Sequence, residues 1–384
     1  MRMLHTSDWH LGRSLHGLSL IDAQRDAVQQ LCQYARDEHV DVFLIAGDVF
    51  DRAVPSVQAL RILDQAVTTL AEAGIEIVLM AGNHDSGDRL SMYSSVMGPR
   101  LHLVGHVDQL DRPLLINDAF SDDSGPVGLY AIPYLEPDFA RDQLSDQEPL
   151  PRSHQAIMQA AVERIRADIA ERGLRRVIIA AHAFVTAAGQ AQVTDSERDL
   201  SIGGVQAIDA SILSSQADYV ALGHLHRPQE LSATVRYCGS LLRYSFSEAH
   251  HDKSCCIVDI GAPGQPVSVR TLQIAQPRPM SRLSGSMSQL CGMAYADARD
   301  HFVELTVCES TMPERMHAQL DAVFPFALRK QFQSIGQRVD QGRRGDGRGQ
   351  DPVQTVVSFL KSAGALENGD EDLVRAVVEQ VREQ

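Results

Sequence analysis

Carboxylate, amide and imidazole side chains recur in this chain at spacings that suit a pair of metal ions. They are Asp8 and His10, then Asp48, then Asn83 followed by His84 and Asp85, then His182, and last His224 with His226. Side chains on an extended strand alternate with period two, so Asp-x-His or His-x-His offers two donors to one ion. A turn after Gly223 would instead send His224 and His226 to separate ions. A mixed oxygen and nitrogen donor set suits manganese, iron or zinc rather than magnesium or calcium alone. Asp48 is the kind of carboxylate that bridges two ions, and Asn83 adds a neutral amide oxygen. Two ions about 3.5–4 Å apart clamp the attacking and leaving oxygens of a phosphoryl displacement, so the chemistry indicated is two-metal phosphoester hydrolysis.

A lone histidine at the end of a strand is usually a hydrogen-bonded structural residue. Here every cluster follows a short apolar run: Met3 to Ser7, Val42 to Ala46, Ile75 to Ala81, Val177 to Ala181 and Tyr219 to Leu222. Near-continuous apolar runs of this length read as strands covered on both faces, and residues 22–38, 56–73 and 153–172 read as amphipathic helices. The fold class is α/β, a layered sandwich of mixed sheets flanked by helices. In such sheets ligands collect beyond the carboxyl ends of the strands, which is where every cluster lies.

Residues 1–275 form the expected main domain, with strand-like pieces in 227–275 completing its sheets. Cys255 and Cys256 fall in one of those pieces and point to opposite faces as fillers. After Gln276-Pro277-Arg278-Pro279, a small α+β capping domain is expected over 276–335, built from His301 to Val307, Pro313 to Val323 and Phe324 to Phe332. A linker rich in Gly, Arg and Gln follows at 336–352, and then a helical tail at 353–384 with apolar residues at helical spacing. Two short amphipathic helices cannot bury themselves alone, so the tail docks on the body or on a partner's groove.

The 384 residues are 44% apolar and 22% charged, and no apolar run is long enough for a membrane span. Polar and ionisable residues stand where a secretory signal would place its apolar core, so the expected location is cytoplasmic. Six scattered cysteines show no zinc-site or redox spacing. Thirty-five Lys and Arg stand against 50 Asp and Glu, a net charge of −15. That balance disfavours unassisted nonspecific binding to nucleic acid, so any such work needs metal ions, local positive charge or a partner.

The clusters Asp8-x-His10, Gly47-Asp48-x-x-Asp51, Gly82-Asn83-His84-Asp85, His182 and Gly223-His224-x-His226 together resemble the calcineurin-like metallophosphoesterases. The wording from His5 to Gly12, from Ala46 to Asp51 and from Ala217 to Arg227 resembles one branch of that group, the nuclease subunits of bacterial SbcCD-type exonucleases. Arg236-Tyr237-Cys238-Gly239-Ser240 fits as well, and the likeness spans roughly residues 1–250.

The resemblance implies that Asp8, His10, Asp48 and His226 hold one divalent ion. Asp48 then bridges to a second, held by Asn83, His182 and His224, with Mn2+ the expected metal. His84 is the implied general acid, with Asp85 orienting its ring; a turn-capping role for Asp85 stands beside that one. Asp51 is expected to bond to a ligand histidine. The implied activity is cleavage of DNA phosphodiester bonds as exonuclease and endonuclease, in DNA end processing, repair and recombination. The implied partners are DNA, an SMC-type ATPase of the SbcC kind and a second copy of the chain, giving a homodimer within a heterotetramer, with no membrane. For that dimer, the apolar positions of Ile21 to Val28 and Leu60 to Val67 are candidates.

Catalytic residues alone leave open a phosphatase or phosphodiesterase acting on nucleotides or phosphoproteins. A noncatalytic scaffold that binds metal for stability is a third reading, which the intact His84 and full donor set argue against. Arg89 and Arg243 are the candidate DNA-binding residues, with Arg13 and His16 nearby. The Arg-rich stretch Arg329, Lys330, Arg338, Arg343, Arg344 and Arg348 reads as a tether or a phosphate contact. Trp9, between two donors, is expected in the core.

Overall fold

A computed structural model describes residues 1–92, 94, 98–116, 125–145, 147–187, 192–195, 207–335 and 357. In chain order the first half contains β1 (Arg2–Thr6), β2 (Ser14–Leu15), β3 (Leu18–Ser19), α1 (Ile21–Asp37), β4 (Val42–Ile45), α2 (Val57–Glu72), β5 (Glu76–Met80), α3 (Gly87–Leu90), β6 (Leu101–Val104), β7 (Leu114–Ile116), β8 (Val127–Ile132), α4 (Pro137–Gln143) and α5 (His154–Arg172). The second half contains β9 (Arg176–His182), β10 (Val185–Thr186), β11 (Ile208–Asp209), α6 (Ala210–Ser214), β12 (Tyr219–Gly223), β13 (Gln229–Ser232), β14 (Val235–Tyr237), β15 (Ser254–Asp259), β16 (Ser268–Gln273), β17 (Met280–Gly285), α7 (Met287–Cys291), β18 (Phe302–Glu309), α8 (Met316–Val323) and β19 (Ala327–Ser334).

Two six-stranded sheets form the body, in the orders β16-β15-β1-β4-β5-β6 and β13-β14-β12-β9-β8-β7. Both are mixed. The strands β1, β4, β5 and β6 run parallel, as do β8, β9, β12 and β14, while the outer strands pair antiparallel. Met3, Val42, Leu44 and Val78 from the first sheet meet Leu129, Ile178, Ala180 and Ala221 from the second in a shared core. The outer face of the first sheet packs on α1 and α2, and that of the second on α5. Strands buried on both faces explain the apolar runs, and each large side chain so covered contributes roughly 1.5–3 kcal/mol.

The helices start and stop on local signals. Ser56 and Ser153 accept from the backbone amides of Ala59 and Ala156 to open α2 and α5, and Gly173 closes α5 in the left-handed conformation. Cys255 and Cys256 do fall in different cores, one outside and one between the sheets.

Beyond the body, β17, β18 and β19 form a three-stranded sheet with β18 in the middle. The helices α7 and α8 cover one face through Met287, Leu290, Met316 and Leu320. Met280 and Phe302 join the outer core of the first body sheet. The sequence does not announce the strand β17 and the helix α7, because their short, mixed segments lack a clear period. Residues Met1–Gln333 make one compact unit and Ser334–Gln384 another. The linker arginines Arg338, Arg343, Arg344 and Arg348 lie outside the described residues, as does the 353–384 tail apart from Val357.

Candidate metal centre

Parallel neighbours in each sheet bring five strand ends together at one edge of the sandwich. Asp8 and His10 follow β1, Asp48 follows β4, Asn83 follows β5, His182 ends β9, and His224 and His226 follow β12. The strand-alternation argument for Asp8 and His10 does not hold. The strand β1 stops at Thr6, and both residues adopt left-handed backbone, with φ of 51° and 44°. Asp48 (φ 48°) and His224 (φ 106°) share that conformation. Each such residue costs about 1–3 kcal/mol and persists only where its surroundings dictate it, so the convergence is enforced by turns. Two glycines allow the loops to touch. A Cβ at Gly47 would fall 2.1 Å from His182 Nδ1, and one at Gly223 would fall 1.8 Å from the Ala46 carbonyl oxygen.

The donors form two sets. His10 Nε2 and His226 Nε2 are 3.0 Å apart, and one donor atom from each of Asp8, His10 and His226 lies within 4.8 Å of the others. Asn83 Oδ1 sits 3.1 Å from both His182 Nε2 and His224 Nδ1. Asp48 lies between the sets, its Oδ2 3.5 Å from His10 Nε2 and 3.5 Å from His182 Nε2. Ligands about 2.0–2.2 Å from a shared ion stand roughly this far from one another, so the residues fit two ions bridged by Asp48. The donor chemistry fits as well. His182 Nδ1 already bonds to the Ala46 carbonyl at 2.9 Å, so its Nε2 faces the Asn83 oxygen either as part of a charged ring or as a lone pair for a shared cation. The structure brings together the seven donor positions that the sequence singles out.

The electrostatics are those of buried acids and bases in contact. Burial works to raise Asp48, but His182 and His10 hold its carboxyl well below the usual range. Burial works to lower His182, yet Asp48 and Asp8 bring it up to about 9. His224 is pushed down to about 3 by burial and by His182, and His10 is pushed well down by burial. Burial raises Asp8, which accepts from Ser7 Oγ and from the backbone amide of His224.

His84 stands beside this centre with its ring edge-on to His10, centroids 4.7 Å apart. Its Nδ1 bonds to the Asp51 backbone carbonyl at 3.0 Å, and its backbone amide donates to Asp48 Oδ1 at 2.9 Å. The orienting bond to the ring is therefore not from Asp85. The Asp85 carboxylate instead accepts from the backbone amides of Val49, Phe50 and Gly82 at 2.9–3.0 Å, tying the β4 loop to the β5 loop. Burial and nearby Asp48 raise it to about 6 against those three amides. Asp51 lies 3.8 Å from His10 Nδ1, beyond hydrogen-bond reach, and 3.5 Å from Arg13 Nη1.

Arg89 is on the surface with Nη1 3.4 Å from the Ala53 carbonyl. Arg243 is partly buried and donates from Nε to the His251 carbonyl at 3.0 Å. Neither touches the donor sets in any described contact. Trp9 is fully buried, its indole donating to Thr6 Oγ1 and its ring edge-on to Phe43.

Several supporting residues carry no signal in the sequence. Gln24 of α1 donates to the His10 carbonyl at 2.7 Å and accepts from Gly12. Tyr244 donates to the Trp9 carbonyl and sets its ring against His10 and His226. Glu248 and Lys253 form a buried ion pair behind His226. A glutamine in a helix and charges in a loop have no spacing that separates them from solvated ones.

A sequence profile of the calcineurin-like phosphoesterase family matches residues 1–228. The SbcD subunit of the SbcCD nuclease of Bacillus subtilis (strain 168) is 36% identical over 292 residues, covering 73% of this chain and 71% of that protein. The Staphylococcus epidermidis protein of the same name is 29% identical over 263 residues, covering 68% and 66%. Among solved structures, TT1561 of Thermus thermophilus aligns over 71% of this chain and 99% of its own, with 16% identity and a TM-score of 0.40. On the extent of the family match and of the identity to its relatives, this chain is a member of the calcineurin-like phosphoesterase family.

Proposed function

We propose that this protein is a DNA nuclease that hydrolyses phosphodiester bonds with two divalent ions, Mn2+ being the metal its donor set suits. The observation that carries the reading is the position of Asp48, equidistant at 3.5 Å from His10 Nε2 and His182 Nε2 between two converging donor sets. Asp8, His10, Asp48 and His226 would hold one ion, and Asp48, Asn83, His182 and His224 the other. Such a pair, when bound, neutralises phosphoryl charge and makes water a nucleophile near neutral pH.

The remaining steps belong to the chain. His84 donates Nδ1–H to the Asp51 carbonyl, which leaves Nε2 as the atom to pass a proton to the leaving oxygen. Asp85 holds the loops that carry Asp48 and His84 in register through three backbone amides. Burial of Asp8, His10 and His182 removes water from the floor of the centre and strengthens each charge interaction there. Arg89 and Arg243, on loops after β5 and β14, are the proposed contacts to the DNA backbone.

The name shared by the two relatives supports DNA as substrate and an SMC-type ATPase of the SbcC kind as partner. A partner that grips DNA also accounts for an acidic nuclease with net charge −15. For the homodimer, the support is an apolar groove of about 870 Å³ lined by Val54, Val57, Leu60, Leu63, Val67 and Met92. Val57 and Leu60 lie on α2, whereas Ala27 and Val28 of α1 are buried in the core, so α2 is the better candidate face. The reading is tested by adding the cognate ATPase to the protein with Mn2+ and linear duplex DNA. ATP-dependent trimming of duplex ends that needs both subunits is the expected result, and trimming by the ATPase alone would contradict it.

A further inference from the structure

Behind His226, on the side away from His10, two opposite charges are buried without any exposed surface. Lys253 Nζ donates to Glu248 Oε2 at 2.6 Å, to Ser240 Oγ at 2.7 Å and to the His226 carbonyl at 2.7 Å, which uses all three ammonium protons. Glu248 Oε1 accepts from Ser245 Oγ at 3.0 Å and lies 3.6 Å from His226 Nδ1. The opposite ring nitrogen of His226 faces His10 and the first donor set. We infer that Glu248 and Lys253 are positioning residues that fix His226, and through it the first of the two ions.

The argument is one of chemistry and of selectivity. Taking two charges out of water is costly, and a buried ion pair is weak as a device for stability alone. At His182 a neutral carbonyl, that of Ala46, suffices to hold the outward-facing nitrogen. At His226 the chain spends a carboxylate instead. A carboxylate facing Nδ1 keeps the proton there, leaves the Nε2 lone pair for a metal and raises its basicity. Lys253 keeps that carboxylate ionised and in place.

The same ammonium ties down the neighbouring segment. Ser240 also donates its backbone amide to the His226 carbonyl at 3.1 Å, and Leu241 donates to the Asp8 carbonyl at 3.3 Å. The brace thus reaches two ligands of the first ion. Asn83, His182 and His224 have no described hydrogen bond or ion pair with Glu248 or Lys253. Loss of the pair is therefore expected to act on one ion of the two.

The inference rests on the two-ion reading given above, and the experiment separates the two. Mn2+ is titrated into the full-length, chelator-stripped protein and into Glu248→Gln, with binding followed by calorimetry and by the electron paramagnetic signal of free Mn2+. The native protein is expected to take two ions per chain; if it takes fewer, the two-ion reading fails and this inference with it. In Glu248→Gln, whose amide keeps the shape and one acceptor, one affinity falls by about 10–100-fold while the other stays as it was. Phosphodiesterase activity then returns at high Mn2+ with substrate KM unchanged. Two native affinities in Glu248→Gln would overturn the inference, and so would equal weakening of both, which marks general loosening. Should that variant fail to fold, imidazole nitrogen NMR of the zinc-loaded native protein decides. His226 protonated at Nδ1 and metal-bound at Nε2 supports the inference, and metal on Nδ1 overturns it.

Discussion

His10 and His226 face each other nitrogen to nitrogen, Nε2 to Nε2 at 3.0 Å, in a fully buried floor beneath Asp48. Two imidazoles can share one proton at that distance, but they can also share one cation, and the adjacent Asp8 and Asp48 carboxylates favour the cation. Replacing His226 by Ala is expected to lower Mn2+ stoichiometry from two ions per chain to one. Unchanged stoichiometry by calorimetry would mean that the pair is a hydrogen bond only.

Asp48 belongs to both donor sets, so its loss is expected to remove both ions. Asp48→Asn keeps the volume and one acceptor for the His84 amide, which isolates the loss of charge. The expected result is no Mn2+ retained after desalting, measured by elemental analysis, with activity near background. One ion retained would place the bridge elsewhere.

His84 acts on the leaving oxygen rather than on the metals, and the two roles separate in kinetics. His84→Ala is expected to keep two ions and lower kcat by about 10²–10⁴. Its KM for DNA should stay within a few-fold. Loss of an ion in this variant would reassign His84 as a ligand.

Much of this centre could be read from sequence, and the reason is that metal ligands are chemically restricted. Asp8, His10, Asp48, Asn83, His182, His224 and His226 are ligand types that stand directly after apolar strands, and the sheet order gathers their ends. The helices were equally legible, since α1, α2 and α5 begin and end within a residue or two of the expected spans. The hydrogen bonds behind the ligands were not. Asp85 bonds to three backbone amides rather than to the His84 ring, and an aspartate one residue after a histidine looks the same in either case. Glu248 and Lys253 look like solvated loop charges until the fold buries them.

That role for Asp85 makes it a matter of stability as well as rate. Asp85→Ala strands three partly buried amides and is expected to lower unfolding free energy by roughly 3 kcal/mol. Chemical denaturation of the metal-free protein checks it. A change under about 0.5 kcal/mol, the range of ordinary surface substitutions, would contradict the account.

His5 makes the metal-free protein acid-sensitive. It is buried between the Tyr219 hydroxyl and the Leu222 carbonyl, and burial lowers it from 6.5 to about 3. The folded state disfavours its charged form, so its contribution is present above pH about 6.5 and is lost as pH falls toward about 3. Between pH 7 and 5 the native protein in chelator should lose about 2 kcal/mol that His5→Gln does not lose. Parallel losses in both proteins would exclude His5 as the cause.

The claim that two ions in this centre cut DNA is tested most directly with purified native protein and His84→Ala. Each is given Mn2+ and, side by side, single-stranded DNA, linear duplex DNA and a generic phosphomonoester, with and without the cognate ATPase. The account predicts Mn2+-dependent DNA cleavage by the native protein, stopped by chelator and lost in His84→Ala. Turnover of the phosphomonoester with no DNA cleavage under any of these conditions would contradict it and assign the centre to a small-substrate phosphatase.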